Sequence, residues 1–116
     1  MTKTTIYHNP RCSKSRQTLE LLNEHGLDAD VVEYLKTPPD AAELERILDL
    51  LGLEPRELMR TNEAEYTVLK LDDASLSREQ LITAMAGHPK LIQRPIVLND
   101  GKAALGRPPE SVLEIL

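Results

Sequence analysis

The stretch Thr4-Thr5-Ile6-Tyr7-His8-Asn9-Pro10-Arg11-Cys12-Ser13-Lys14-Ser15-Arg16 carries a strand into a helix, and the chain's single cysteine stands at the junction. The β-branched and apolar run Thr4-Thr5-Ile6-Tyr7 reads as the strand and Asn9-Pro10 breaks it. The segment from Ser13 through Thr18-Leu19-Glu20-Leu21-Leu22 reads as the helix, closed by Gly26. Ala29-Asp30-Val31-Val32-Glu33-Tyr34 then gives a second strand, which the intervening helix makes parallel to the first. The opening third is therefore a βαβ unit.

Beyond the Thr37-Pro38-Pro39 break, Asp40-Ala41-Ala42-Glu43 has a capping-box pattern, followed by Leu44, Ile47, Leu48 and Leu51 on one helical face and Gly52 at the exit. Pro55 opens a short helix over Arg56-Glu57-Leu58-Met59. A second capping box, Ser77-Arg78-Glu79-Gln80, opens a helix with Leu81, Ile82, Ala84 and Met85, ended by Gly87-His88-Pro89. Pro95-Ile96-Val97-Leu98 reads as a strand, Asn99-Asp100-Gly101 as a tight turn and Lys102-Ala103-Ala104-Leu105 as its hairpin partner. Pro108-Pro109-Glu110 opens a final helix to Leu116. This order predicts an α/β fold in one domain, 1–116: a four-stranded mixed sheet flanked by helices, with a helical insertion at about 37–90.

A chain of 116 residues can bury an ordinary core without disulfides or metals. With no Trp or Phe, that core must come mainly from Leu, Ile, Val and Ala. The net charge of −5 argues against a general nucleic-acid surface, because Lys and Arg neutralising phosphates supply most of such binding. Met1-Thr2-Lys3-Thr4 begins with no apolar leader core, and no uninterrupted apolar run approaches the roughly 18 residues of a membrane span. A cytoplasmic protein without a membrane partner is expected. One cysteine and the scattered His8, His25 and His88 do not suggest a metal site.

A lone cysteine is most often a small buried hydrophobe. Around Cys12, however, Arg11, Lys14 and Arg16 crowd together, and Ser13, Ser15 and the first-turn amides add hydrogen-bond donors. The helix dipole favours an anion at this end by roughly 0.3–1 kcal/mol. Together these features predict a thiol whose ionised form is favoured, and hence a nucleophile. His8 reads equally well as a polar residue at a strand end and as a charge partner of Cys12. Arg16 follows Cys12 at the fourth position rather than the sixth that a Cys-x5-Arg phosphatase cradle requires. Ser15 and Asn9 occupy the places where a Cys-x-x-Cys motif would put its other thiol. A redox cycle at Cys12 must therefore borrow its second thiol from another molecule.

The segment Tyr7-His8-Asn9-Pro10-Arg11-Cys12-Ser13-Lys14-Ser15-Arg16 resembles the active-site loop of the ArsC family, the glutaredoxin-dependent arsenate reductases. Tyr34-Leu35-Lys36-Thr37-Pro38-Pro39, Leu58-Met59-Arg60-Thr61-Asn62, Leu91-Ile92-Gln93-Arg94-Pro95-Ile96-Val97 and Gly106-Arg107-Pro108 resemble further family segments, so that essentially the whole chain is covered. Arg11, Ser13 and Lys14 stand where the plasmid-encoded members have smaller residues.

The resemblance implies a thioredoxin-like fold with an inserted helical subdomain, and a cis bond at Pro95. It implies Cys12 as the nucleophile, His8 and Arg16 as groups favouring its thiolate, and Arg60, Arg94 and Arg107 as holders of the oxyanion, with Ser15 a further substrate-binding group. Arg94 and Arg107 each precede a proline, which restricts their backbones to extended geometry and pre-sets the aim of a guanidinium. Planar guanidinium forks suit a tetrahedral oxyanion and offset the charge that would repel a thiolate. By the same resemblance, Cys12 would form a thiol–arsenate adduct, glutathione would act as co-substrate and glutaredoxin as the resolving partner. The enzyme would be a monomer with no tightly bound cofactor. The alternatives are a glutathione-dependent thiol oxidoreductase of another substrate and a Spx-like regulator that binds RNA polymerase.

Overall fold

The computed structural model describes residues 4–116. Met1, Thr2 and Lys3, which belong to the expectation of no apolar leader, lie outside that range. The chain forms two compact units: one from the segment up to Thr37 together with Arg94–Leu116, the other Pro38–Gln93.

In the first unit, β1 (Thr4–His8), α1 (Ser13–Glu24) and β2 (Asp30–Glu33) form the βαβ unit, and β3 (Ile96–Asn99) and β4 (Lys102–Leu105) form the hairpin. The sheet order is β2-β1-β3-β4, with β1 parallel to β2, β1 antiparallel to β3 and β3 antiparallel to β4. This is the expected four-stranded mixed sheet. Ile6, Leu22, Val97 and Val112 make its fully buried core, with Leu19, Leu27, Ala104 and Ile115 packed against it. Every residue of β3 is buried, as its run of apolar residues requires of an interior strand.

Several strand boundaries differ from the expectation: β1 runs on to His8 and β2 begins at Asp30. β2 stops at Glu33 because the Glu33 carbonyl accepts the amides of Lys36 and Thr37, both at 2.9 Å, and turns the chain off the sheet edge. β3 begins at Ile96, since Pro95 has no N–H to give the ladder, and it takes in Asn99. The Asn99 side chain is buried; it accepts from the Thr4 hydroxyl at 2.8 Å and donates to the Ile115 carbonyl at 2.7 Å. Sheet and C-terminal segment are thereby joined.

That segment, expected as an ordinary helix to Leu116, is a 3₁₀-helix over Pro109–Ile115. Spacing explains the difference. Pro109 and Val112 are buried and Ile115 packs on the core, at intervals of three that a three-residue turn stacks directly above one another.

The second unit contains α2 (Ala41–Leu51), α3 (Ala64–Val68), α4 (Arg78–Gly87) and short 3₁₀ turns at Pro55–Leu58 and Pro89–Leu91. The Asp40 side chain accepts the Glu43 amide at 2.8 Å, and Gly52 closes α2 with a φ of 68°. Ser77 and Gln80 bond each other's amides reciprocally at the start of α4. α2 buries Leu44, Ile47 and Leu48, and α4 buries Leu81, Ile82 and Met85. α3 buries none of its residues, so no apolar period marks it in the sequence.

Candidate active site

Cys12 is the N-cap of α1, in extended backbone with φ −94° and ψ 122°, and its half-buried thiol is free and makes no capping bond. Its amide donates to the Asn9 carbonyl and its own carbonyl accepts the Arg16 amide, each at 3.0 Å. The amides of Ser13, Lys14 and Ser15 lie ahead of that first intrahelical bond, at the open end of the helix. No acidic residue occupies the first turn, and Arg11, Lys14 and Arg16 are all exposed beside it. Sequence thus sets an electropositive helix end around the thiol, where an anion is favoured.

Side chains hold the loop in shape. The Asn9 carboxamide oxygen accepts the Arg11 amide at 3.0 Å, a local turn that asparagine forms readily. The Arg16 guanidinium folds back and donates to the Pro10 carbonyl at 2.8 Å. Ser15 is fully buried, and its hydroxyl accepts the Asn9 amide at 3.1 Å and lies 2.5 Å from Nδ1 of His8. The hydroxyl expected among the substrate-binding groups is therefore engaged inside the protein.

His8, at the end of β1, is buried. Burial lowers its pKa below the ordinary 6.5, the Glu33 carboxylate opposes the shift in part, and Arg16 adds to it. The imidazole is thus mostly uncharged at pH 7. The Ser15 hydroxyl on Nδ1 holds the ring in place at the end of β1. A folded-state pKa below the unfolded value means that the unfolded chain binds more protons as the pH drops. The stabilisation is complete above pH 6.5 and is lost as the pH falls through the folded value. Urea midpoints measured from pH 7.5 to 5 should decline more steeply for the wild type than for His8→Gln; parallel slopes would show that this linkage is absent.

Arg94 and Arg107 come from separate segments, each ahead of a cis proline, Pro95 and Pro108. Nη1 of Arg107 donates to the Arg94 carbonyl at 3.2 Å, and the Gly106 amide to the Pro95 carbonyl at 2.9 Å. The two segments lie side by side. Arg94 is half-buried, and its Nε is buried with no hydrogen-bond partner among the described residues.

Gly106 explains how closely this pair meets α1. A Cβ there would lie 2.5 Å from the Thr18 hydroxyl oxygen and 2.6 Å from Cγ of Pro95. Thr18 is itself buried, its hydroxyl donating to the Lys14 carbonyl at 2.8 Å. The helix capped by Cys12 thus closely approaches the segment that carries Arg107, and the Pro95 ring closes on the same glycine.

Arg60 belongs to residues 38–93, where its amide donates to the Leu91 carbonyl at 2.6 Å and its Nη1 pairs with Glu63 at 2.7 Å. The structure therefore gathers His8, Cys12, Ser15 and Arg16 at the junction of β1 and α1 and sets Arg94 beside Arg107. It describes Arg60 within its own unit. Among the described residues no three His, Cys, Asp or Glu side chains are grouped as metal ligands. Asn9, Thr18 and Gly106 support the site without having been singled out for it. Asn9 carried the signal, since asparagine before proline is a turn former, but read alone it marks only a break.

The ArsC family model matches residues 7–115. The uncharacterized protein YfgD of Escherichia coli (strain K12) is 60% identical over 112 residues, covering 96% of this chain and 94% of that protein. A Neisseria meningitidis serogroup A protein named arsenate reductase is 50% identical over 117 residues, covering 100% of both. The solved structure of an arsenate reductase from Vibrio cholerae superposes with a TM-score of 0.97 at 53% identity, covering 99% of this chain and 98% of that one. The four-stranded mixed sheet is that of the thioredoxin-like fold. With a family match across nearly its whole length and relatives this similar end to end, the chain belongs to the ArsC family.

Proposed function

We propose that the protein reduces arsenate to arsenite through a covalent adduct on Cys12, with glutathione as co-substrate and glutaredoxin as the resolving partner. The observation that carries this reading is a half-buried, unpaired thiol at the basic open end of α1, in the unit that also holds Arg94 with its unpartnered Nε. A buried donor left unpaired costs about 1–3 kcal/mol, so Arg94 is poised to donate to an oxyanion. The names of the Neisseria and Vibrio relatives point the same way.

In the first step Cys12 sulfur bonds to arsenic and an arsenate oxygen leaves as water, with arsenic still pentavalent. Glutathione sulfur then bonds to Cys12 sulfur as the sulfur–arsenic bond breaks. Its proton passes to an arsenic-bound oxygen, and the bonding pair stays on arsenic. Arsenite leaves, and a Cys12–glutathione disulfide remains. The two thiols have supplied the two electrons, and a glutaredoxin thiol takes over the glutathionyl group and restores Cys12. Arg60, Arg94 and Arg107 are assigned to the oxyanion, while His8 and Ser15 brace the loop and Arg16 adds charge beside the thiol.

The deciding experiment is arsenate-dependent NADPH consumption coupled through glutathione reductase, with glutathione and glutaredoxin each omitted in turn. Full turnover should need both, and catalysis without them should stop after at most one arsenite per chain. Sustained turnover with thioredoxin alone would replace the assigned reductant. Reduction of a mixed disulfide with no response to arsenate would favour the thiol-oxidoreductase alternative.

A further inference from the structure

A groove of about 290 Å³ opens where β1 and β2 end, and its lining includes the reactive loop. These strands are parallel, and His8 and Glu33 are register partners at their carboxyl ends. In open α/β sheets the crevice beyond the carboxyl ends of parallel strands is where small ligands bind. His8 lines the groove from the buried side, and Pro10 and Leu35, both exposed, give it apolar surface. Arg11 and Lys36 are the exposed cations along it.

The charges are available to a ligand. The Arg11 guanidinium has no partner among the described residues, although the Arg11 backbone is fixed by its bond to Asn9. Lys36 lies 3.7 Å from Glu33 with its side chain 78% exposed, a surface pair of little strength. The backbone beneath is tied down by the Lys36 and Thr37 amides on the Glu33 carbonyl. Little ordering would be needed on binding.

We infer that this groove seats the incoming thiol co-substrate, a small peptide thiol bearing carboxylates and an ammonium, with Arg11 and Lys36 on its carboxylates and Glu33 on its ammonium. The inference rests on the reading of Cys12 as a nucleophile that needs an outside thiol, which a chain with one cysteine cannot supply itself. Seated there, such a ligand has its apolar stem along Pro10 and Leu35 and lies against the loop that carries Cys12. The size suits it, since small-molecule sites begin at roughly 300 Å³.

The test is calorimetric titration of the full chain with S-methylglutathione, which keeps every charge of glutathione and cannot form a disulfide. Arg11→Glu combined with Lys36→Glu should weaken binding by about tenfold or more, whereas Lys102→Glu, an exposed charge reversal on β4, should change it by less than about twofold. Lys36→Gln, a milder change, should give an intermediate loss with an unaltered circular dichroism spectrum. No binding by the wild type, or equal weakening by Lys102→Glu, overturns the groove. The assay of arsenate turnover separates the two proposals. Turnover in the double variant with an unchanged glutathione KM removes the groove and keeps the arsenate reading. Charge-selective binding of S-methylglutathione without arsenate turnover does the reverse.

Discussion

Cys12→Ser is expected to bring arsenate turnover down to the assay blank while the urea midpoint stays equal or rises. The first half follows from the absence of any other thiol in the chain: a serine hydroxyl is not ionised near neutral pH and cannot end the cycle in a disulfide. The second half follows from the position. Cys12 is an N-cap whose side chain makes no capping bond, and serine is among the residues preferred there, with a hydroxyl that can accept an orphan amide of α1. Function and stability should therefore move in opposite directions. The sharpest measurement is arsenite released per chain in a single pre-steady-state mixing. Activity within tenfold of the wild type would remove Cys12 from the chemistry, and a collapse of the fold would make it a core residue after all.

Alanine in place of Arg94 is expected to lower kcat/KM for arsenate by about 10²–10³-fold, the range for loss of an oxyanion donor. The same substitution at Arg107 or Arg60 should also cost activity. Arg107 acts in part by bracing the Arg94 carbonyl, and Arg60 has one corner of its guanidinium already on Glu63. Stability should barely change, because removing a cation of this kind usually shifts it by under about 0.5 kcal/mol. At Arg94 it should even gain, since the buried Nε has no partner to lose. Arg94→Lys should recover only part of the rate, as an ammonium keeps the charge without the planar fork. Steady-state kinetics beside urea titrations of each variant give the answer; wild-type kcat/KM in all three alanine variants would return these arginines to the ordinary surface.

Much of the fold was legible because it rests on strong local signals. The strand-to-helix junction at Cys12, the caps at Asp40 and Ser77 and the two-residue turn at Asp100-Gly101 each settle geometry within a few residues. What the sequence hid depends on partners distant along the chain. α3 has no buried face to give it a period, and the last helix tightens to 3₁₀ because of what Val112 and Ile115 pack against. At the site, the residue types around Cys12 were readable from their crowding. The partnership of His8 with Ser15 was not, because it links a strand end to a buried helix position and lowers the imidazole's pKa by burial, which no spacing reveals.

The meeting of Gly106, Thr18 and Pro95 bears on any attempt to transplant this chemistry. A designer who copied the loop from His8 to Arg16 and the arginines onto another scaffold of the same architecture would have every charge and still lack the close approach that seats two of them. One methyl group at position 106 would have to push aside a threonine oxygen at 2.5 Å and a proline ring at 2.6 Å, carrying the flanking guanidiniums with it. The smallest residue in the segment is thus part of the minimal graft, and a library that varies position 106 while holding the cysteine and arginines fixed would be sampling damaged copies of the site.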